Sequence, residues 1–239
     1  MLQLKNLIVS QIQVPATNQA IIILPEIFGL NSFIQQTIDK VAIKTEIPVF
    51  GLDIFAPADN SVSNLNSATV VPYSDIDKAI SLKNNLTAEQ FLNLLSSGLD
   101  QIQNRFPNIQ NFSILGFCFG GRLAYLSGTD PRVQKIIACY GSGMNTPFWK
   151  NMSCVQALCQ TRRSDTLLDV LSIFGSQDHS ITQEDRNTAV DLLQEAEINY
   201  QEIVVAAGHA FLNFEREQVY NQIMANQVWP EIYDFLKYN

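Results

Sequence analysis

Apolar residues fall along this chain in short unbroken runs, separated by longer stretches in which they recur every three or four positions. The first pattern predicts strands and the second amphipathic helices. Ala20 to Leu24 is wholly apolar with three isoleucines in succession, which reads as a strand buried on both faces. Leu7 to Val14, Pro48 to Phe55, Phe112 to Leu115, Val133 to Tyr140, Leu167 to Phe174 and Tyr200 to Ala206 read as further strands. Between them the spacing turns helical. Phe33, Ile34, Ile38, Val41 and Ala42 form one stripe behind a cap at Asn31 or Ser32. Thr87-x-x-Gln90 is a capping-box pattern opening a helix that carries Phe91, Leu92, Leu95, Leu99, Ile102 and Phe106 and closes at Pro107. Pro147 to Gln160 and Gln183 to Glu197 read as helices, and Glu215 to Tyr238 as one long helix or two broken at Pro230. Pro57 to Asn66 is a polar loop of the kind found at the ligand-entry end of a sheet. Strands alternating with helices over the whole length predict an α/β fold, a mostly parallel sheet with helices on both faces. No repeat, linker or composition shift interrupts the 239 residues, so residues 1–239 are expected to form a single domain.

The stretch around which the chain is organised is Asn111 to Ser127, NFSILGFCFGGRLAYLS. Its order is strand, tight turn, helix. Gly116, Gly120 and Gly121 bracket Cys118, and glycines at these positions let the backbone fold sharply enough to push the central side chain out of the sheet. Gly116-x-Cys118-x-Gly120 is therefore a nucleophile elbow with sulfur in place of oxygen. The start of the following helix favours thiolate over thiol at Cys118.

Three more polar residues fall at strand exits: Glu26, Asp178 and His209. In a parallel sheet the carboxyl ends of strands gather on one edge, so residues distant in sequence can converge there. The order nucleophile, acid, histidine is that of the α/β-hydrolase triad. Cys118 would attack an acyl carbon, His209 would take and return the proton, and Asp178 would hold the imidazole in the useful tautomer. The backbone N–H groups of Phe119 and Ile27 are the expected oxyanion donors, each worth roughly 10²–10³ in turnover. Plainer readings stay open at this point: a buried cysteine in a glycine-rich turn, a turn histidine at 209, an Asp178-His179 pair capping the next helix, a surface role for Glu26. His179 is the alternative base, although a residue adjacent to the orienting acid points away from it.

Composition narrows the partners. Charged residues make up 16% of the chain and the net charge is −8, with no basic run longer than Arg162-Arg163, which argues against nucleic acid and anionic membranes. The apolar run Leu7 to Val9 is too short for a signal-peptide core and no later run could span a bilayer, so a cytoplasmic protein is expected. The four cysteines, at 118, 139, 154 and 159, form no Cys-x-x-Cys pair and have no neighbouring histidine, so reduced thiols are expected and no metal site. No cofactor motif is evident; the glycines around Cys118 do not follow G-x-G-x-x-G.

At these residues the sequence resembles the dienelactone hydrolase family, the carboxymethylenebutenolidases of the α/β-hydrolase superfamily. The resemblance rests on Leu24-Pro-Glu26-Ile27-Phe-Gly-Leu-Asn31, Gly116-Phe-Cys118-Phe-Gly120-Gly121, Gly175-Ser-Gln-Asp178 and Gly208-His209-Ala-Phe211, in the expected order over nearly the full chain. It implies an α/β-hydrolase fold and a cofactor-free hydrolase of small carboxylic esters or lactones, monomeric or a small homo-oligomer. It gives Glu26 the part of switching the cysteine between thiol and thiolate when substrate binds. Family members acting on dienelactone hold its carboxylate with arginines, one of them four residues after the histidine. Here Asn213 stands at that place, Arg216 follows three residues on, and the segment Val70 to Asn85 offers Lys78 and Lys83. Asn213 and Arg216 are thus the expected substrate contacts. The alternative is a hydrolase fold with reduced turnover that binds a ligand or acts as a scaffold.

Overall fold

The computed structural model describes residue 4 and residues 6–10, 17–56, 68–162 and 167–238. Among the described residues seven strands, β1 (Leu7–Val9), β2 (Gln19–Leu24), β3 (Val49–Leu52), β4 (Asn111–Phe117), β5 (Val133–Cys139), β6 (Asp169–Gly175) and β7 (Asn199–Val205), form one sheet in the order β1-β3-β2-β4-β5-β6-β7. Only β1 runs antiparallel to its neighbour. Ala20 to Leu24 of β2 are all buried, as an unbroken apolar run at the centre of a sheet covered on both faces requires. β7 lies at the border of the sheet and is the most exposed of the seven strands.

The helices are α1 (Ser32–Thr45), α2 (Ile76–Asn85), α3 (Ala88–Arg105), α4 (Phe119–Ser127), α5 (Cys154–Thr161), α6 (Gln183–Glu195) and α7 (Gln222–Lys237). α1 packs against α7, whereas α4 touches α3 and α5, and α5 touches α6. Asn31 caps α1 through Ile34 N–H, and Thr87 and Gln90 close the expected capping box on α3.

Several boundaries differ from the sequence reading. Pro147 to Met152 is not helical: Trp149 and Met152 form an antiparallel bridge around a turn with Lys150 and Asn151 at positive φ, and α5 begins only at Cys154 behind a Ser153/Gln156 capping box. The chain from Glu215 to Asn221 also turns; α7 starts behind Asn221 and runs through Pro230 as one helix. α2 has no counterpart in the sequence pattern, because only Ala79 and Leu82 of its ten residues are buried, too thin a stripe to register as a period. The opening strand stops at Val9; positions 11–16 and the polar loop at 57–66 lie outside the described residues.

Strand register brings the chemistry together. Leu24 lies opposite Gly116, Phe117 opposite Cys139, and Gly175 opposite Val205, so the segments leaving β2, β4, β6 and β7 emerge along one rim.

Candidate active site

Cys118 joins β4 to α4 at φ 54° and ψ −114°, a conformation that costs an ordinary residue about 1–3 kcal/mol and persists only where its surroundings enforce it. The enforcement is visible. Cys118 N–H donates to Cys139 O at 3.0 Å, and Gly120 N–H donates to Pro25 O at 3.1 Å. A Cβ on Gly116 would lie 2.1 Å from Gly120 O, and one on Gly120 would lie 2.3 Å from Leu24 O. Those two glycines let the helix start pack directly onto strand backbone.

His209, on the turn after β7, faces Cys118: its Nε2 is 3.1 Å from Sγ. On the other side of the ring, Nδ1 is 2.6 Å from Asp178 Oδ2. The Asp178 side chain is sealed from solvent, while neighbouring His179 is exposed and takes no part in this line of atoms. Tyr140 and the imidazole pack in a T-shaped arrangement, with ring centroids 5.3 Å apart. Burial disfavours the His209 cation, but the bonds to Asp178 and Cys118 outweigh it and raise the imidazole to about 10. Burial opposes the Asp178 anion as well, yet hydrogen bonds from His209 and Ser180 hold its carboxyl below the usual range.

Glu26 is buried at the β2 exit. Oε2 accepts from Asn213 Nδ2 at 2.8 Å, while Oε1 is buried without a partner. The orientation of the Asn213 amide follows from its surroundings, because Oδ1 accepts Glu215 N–H at 3.1 Å and only Nδ2 can then face Glu26. Tyr73 Oη accepts from Asn213 Nδ2 and from Asn31 Nδ2, both at 3.1 Å. Burial raises the Glu26 carboxyl above its ordinary value, against the lowering influence of Asn213, Arg216 and His209.

A cleft of about 340 Å³ opens over these groups, lined by Glu26, Cys118, His209 and Ser180 together with apolar Ile27, Phe28, Ile76 and Phe119. Three cations, Lys83, Arg122 and Arg216, also face it. The Arg216 guanidinium lies over the rings of Phe28 and Tyr73, at 5.5 and 5.4 Å. Arg122 Nη2 donates to Thr146 O at 3.0 Å and its guanidinium covers Phe148. Phe119 is the first residue of α4, so its N–H has no acceptor within the helix, and Ile27 shares the cleft wall with it.

The structure therefore gathers Cys118, His209, Asp178, Glu26, Ile27, Phe119 and Arg216 at one cleft. Asn213 departs from the expectation of a substrate contact: it is fully buried, and its donor is used by Glu26. Sequence reasoning does not single out Arg122, Ser180 or Tyr73. Arg122 stands four residues after Cys118, one helical turn on, which could have signalled it; Tyr73 lies in a turn with no pattern around it. All four cysteines are free, and burial raises Cys154 and Cys159 to about 11. Among the described residues no cluster of three or more His, Cys, Asp or Glu could hold a metal ion, and no helix is long and apolar enough to cross a membrane.

Comparison with known proteins agrees with this picture. The model of the dienelactone hydrolase family matches residues 7–239. A protein of Synechocystis sp., provisionally named carboxymethylenebutenolidase, is 25% identical over 215 residues, covering 89% of this chain and 82% of its own length. A crystal structure of a provisionally named dienelactone hydrolase from Klebsiella pneumoniae superposes with a TM-score of 0.76 at 21% identity, covering 96% of this chain and 91% of that one. A dienelactone hydrolase-like promiscuous phosphotriesterase from metagenomic libraries superposes with a TM-score of 0.70 at 15% identity, over 92% and 86% of the two chains.

Proposed function

The chain belongs to the dienelactone hydrolase family, and we propose that within it this hydrolase cleaves small carboxylic esters or lactones through a cysteine nucleophile. The observation that carries the reading is the unbroken line Sγ, Nε2, Nδ1, Oδ2, with contacts of 3.1 Å and 2.6 Å on either side of one imidazole. Cys118 gives its proton to His209 Nε2 and Sγ attacks the acyl carbon. The carbonyl π electrons move to oxygen, where the N–H groups of Phe119 and Ile27 receive the charge. Collapse of the tetrahedral species expels the alkoxide, which takes the proton from His209 and leaves a thioester on Cys118. Water, deprotonated by His209, then attacks the thioester; the acid is released and the proton returns to sulfur.

Glu26 gates the nucleophile. As an anion it repels negative charge in the same cleft, and as a neutral acid it does not. Asn213 anchors Glu26 from behind, and Arg216 meets the substrate at the cleft wall. The test is hydrolysis of p-nitrophenyl acetate and a panel of lactones by the wild type, Cys118→Ala and His209→Ala, with iodoacetamide labelling of the wild type. The expected result is alkylation first at Cys118 and loss of turnover in both variants. Turnover unchanged in either variant overturns the reading, and labelling of Cys118 without hydrolysis of any substrate favours a ligand-binding protein on a hydrolase fold.

A further inference from the structure

Ser180 stands two residues after Asp178 on the turn leaving β6, is exposed, and lines the cleft. Its backbone N–H donates to Asp178 Oδ1 at 2.9 Å, which alone completes an ordinary Asx turn. The side chain does more than that turn needs. Its hydroxyl lies 2.6 Å from the same Oδ1 and 3.2 Å from His209 Nδ1. A hydroxyl has one proton and two lone pairs, and Asp178 as an anion can only accept. The proton therefore goes to Oδ1, and the lone pairs are turned to Nδ1, which must itself carry a proton to satisfy both Ser180 and Asp178 Oδ2. A closed ring results: Oγ–H to Oδ1, Nδ1–H to Oδ2, with Oγ as the second acceptor of the Nδ1 proton.

We propose that Ser180 is a positioning residue that completes the Cys118-His209-Asp178 assembly, fixing the rotation of the Asp178 carboxylate and the Nδ1–H tautomer of His209. The inference rests on the reading of that assembly given above. With the Nδ1 proton held on the Asp178 side, Nε2 is left facing Cys118 Sγ 3.1 Å away, where the proton that the reaction moves is exchanged. The ring is also fastened to the sheet. Ser142, on the turn after β5, donates its hydroxyl to Ser180 O at 3.1 Å, so turns leaving three adjacent strands are tied at one point.

Ser180→Ala removes the hydroxyl and keeps the backbone N–H that makes the turn. With p-nitrophenyl acetate, its kcat should fall about 5- to 30-fold, the loss of one charge-assisted hydrogen bond, with KM little changed. The acid limb of kcat/KM should shift, because His209, the base that titrates there, has lost Oγ as the second acceptor of its Nδ1 proton. Ser180→Thr, which retains the hydroxyl, should restore both. In the wild type a strongly downfield, slowly exchanging Nδ1 proton is expected by NMR, and it should exchange faster in Ser180→Ala. Thermal melting verifies that both variants are folded, as expected for an exposed turn position. Wild-type kcat and an unmoved acid limb in Ser180→Ala overturn the proposal, as does equal impairment of the Thr variant or the absence of the Nδ1 resonance. Cys118→Ala, assayed alongside, separates the two layers: if it retains turnover, the underlying reading fails and takes this one with it; if it is silent, the Ser180 results stand by themselves.

Discussion

Asp178→Asn preserves the shape of the side chain and removes its charge, and the hydrogen bonds around it dictate how the variant must rearrange. Oδ1 already receives two donors from Ser180, the N–H at 2.9 Å and the hydroxyl at 2.6 Å, so the amide oxygen stays there and the new amide nitrogen faces His209 Nδ1. Two donors cannot share that contact. The imidazole must carry its proton on Nε2 instead, where it meets Sγ and cannot accept the thiol proton. A second loss adds to this. The bond from Nδ1 to the Asp178 carboxylate is charge-assisted and helps raise His209 from 6.5 to about 10; losing one such bond costs about 2 kcal/mol, or about 30-fold. With the tautomer penalty the expected fall in kcat is about 10²–10⁴-fold. Steady-state hydrolysis of p-nitrophenyl acetate measures it, and thermal melting across pH supplies a check independent of turnover. The raised His209 stabilises the fold in full below its unfolded value of 6.5 and ceases to as pH climbs through about 10. The depressed Asp178 stabilises above its unfolded value of 3.8 and ceases to as pH falls through its lower folded one. The melting gap between wild type and variant should accordingly be widest between about pH 4 and 6.5 and close toward pH 10. A kcat within threefold of wild type, or a gap constant with pH, would refute the reasoning.

Glu26→Gln should stabilise the protein at neutral pH, since burial raises the folded carboxyl above its unfolded 4.5 and ionisation there opposes folding; the gain should vanish as pH falls below 4.5, and a pH-independent difference in melting temperature counts against it. Gly120→Ala should cost at least about 2 kcal/mol in urea unfolding, because its Cβ would meet strand backbone at 2.3 Å, whereas Gly208→Ala, whose nearest neighbour is 4.0 Å away, should be within about 0.5 kcal/mol of wild type; equal effects would contradict the packing account. Arg216→Met should raise KM for carboxylate-bearing esters several-fold while leaving neutral esters unaffected, and a uniform change in KM would place Arg216 outside substrate recognition.

Much of this molecule can be read before any coordinates. Buried strands such as Ala20 to Leu24 declare themselves because a strand covered on both faces has no polar positions, and the elbow declares itself because only glycine fits where α4 starts against Leu24 and Cys139. Cys118, Asp178 and His209 are legible because each follows a strand end, and strand ends of a parallel sheet converge whatever lies between them. Tyr73 is not, for it reaches the site from a turn with no pattern around it, and Arg122 is legible only through its one-turn spacing from Cys118 on α4. Asn213 misleads for a related reason: its distance from His209 predicts the neighbourhood, whereas the amide is claimed by Glu26 and Glu215 N–H, partners that only the folded turn supplies. α2 escapes because it buries two residues and exposes Ile76 and Ile80, leaving no stripe to find.

β7 is the outermost strand on its side of the sheet, and His209 is the residue that hangs from its end. A border strand has one neighbour to hold it and sheds protection before the interior does. His209 thus depends on a border strand, while Cys118 is set at the centre of the sheet. Heat or mild denaturant that frays this border would disarm the protein while most of its backbone signal persists, so shelf life for such an enzyme is decided by a single hem and not by the strength of the whole cloth.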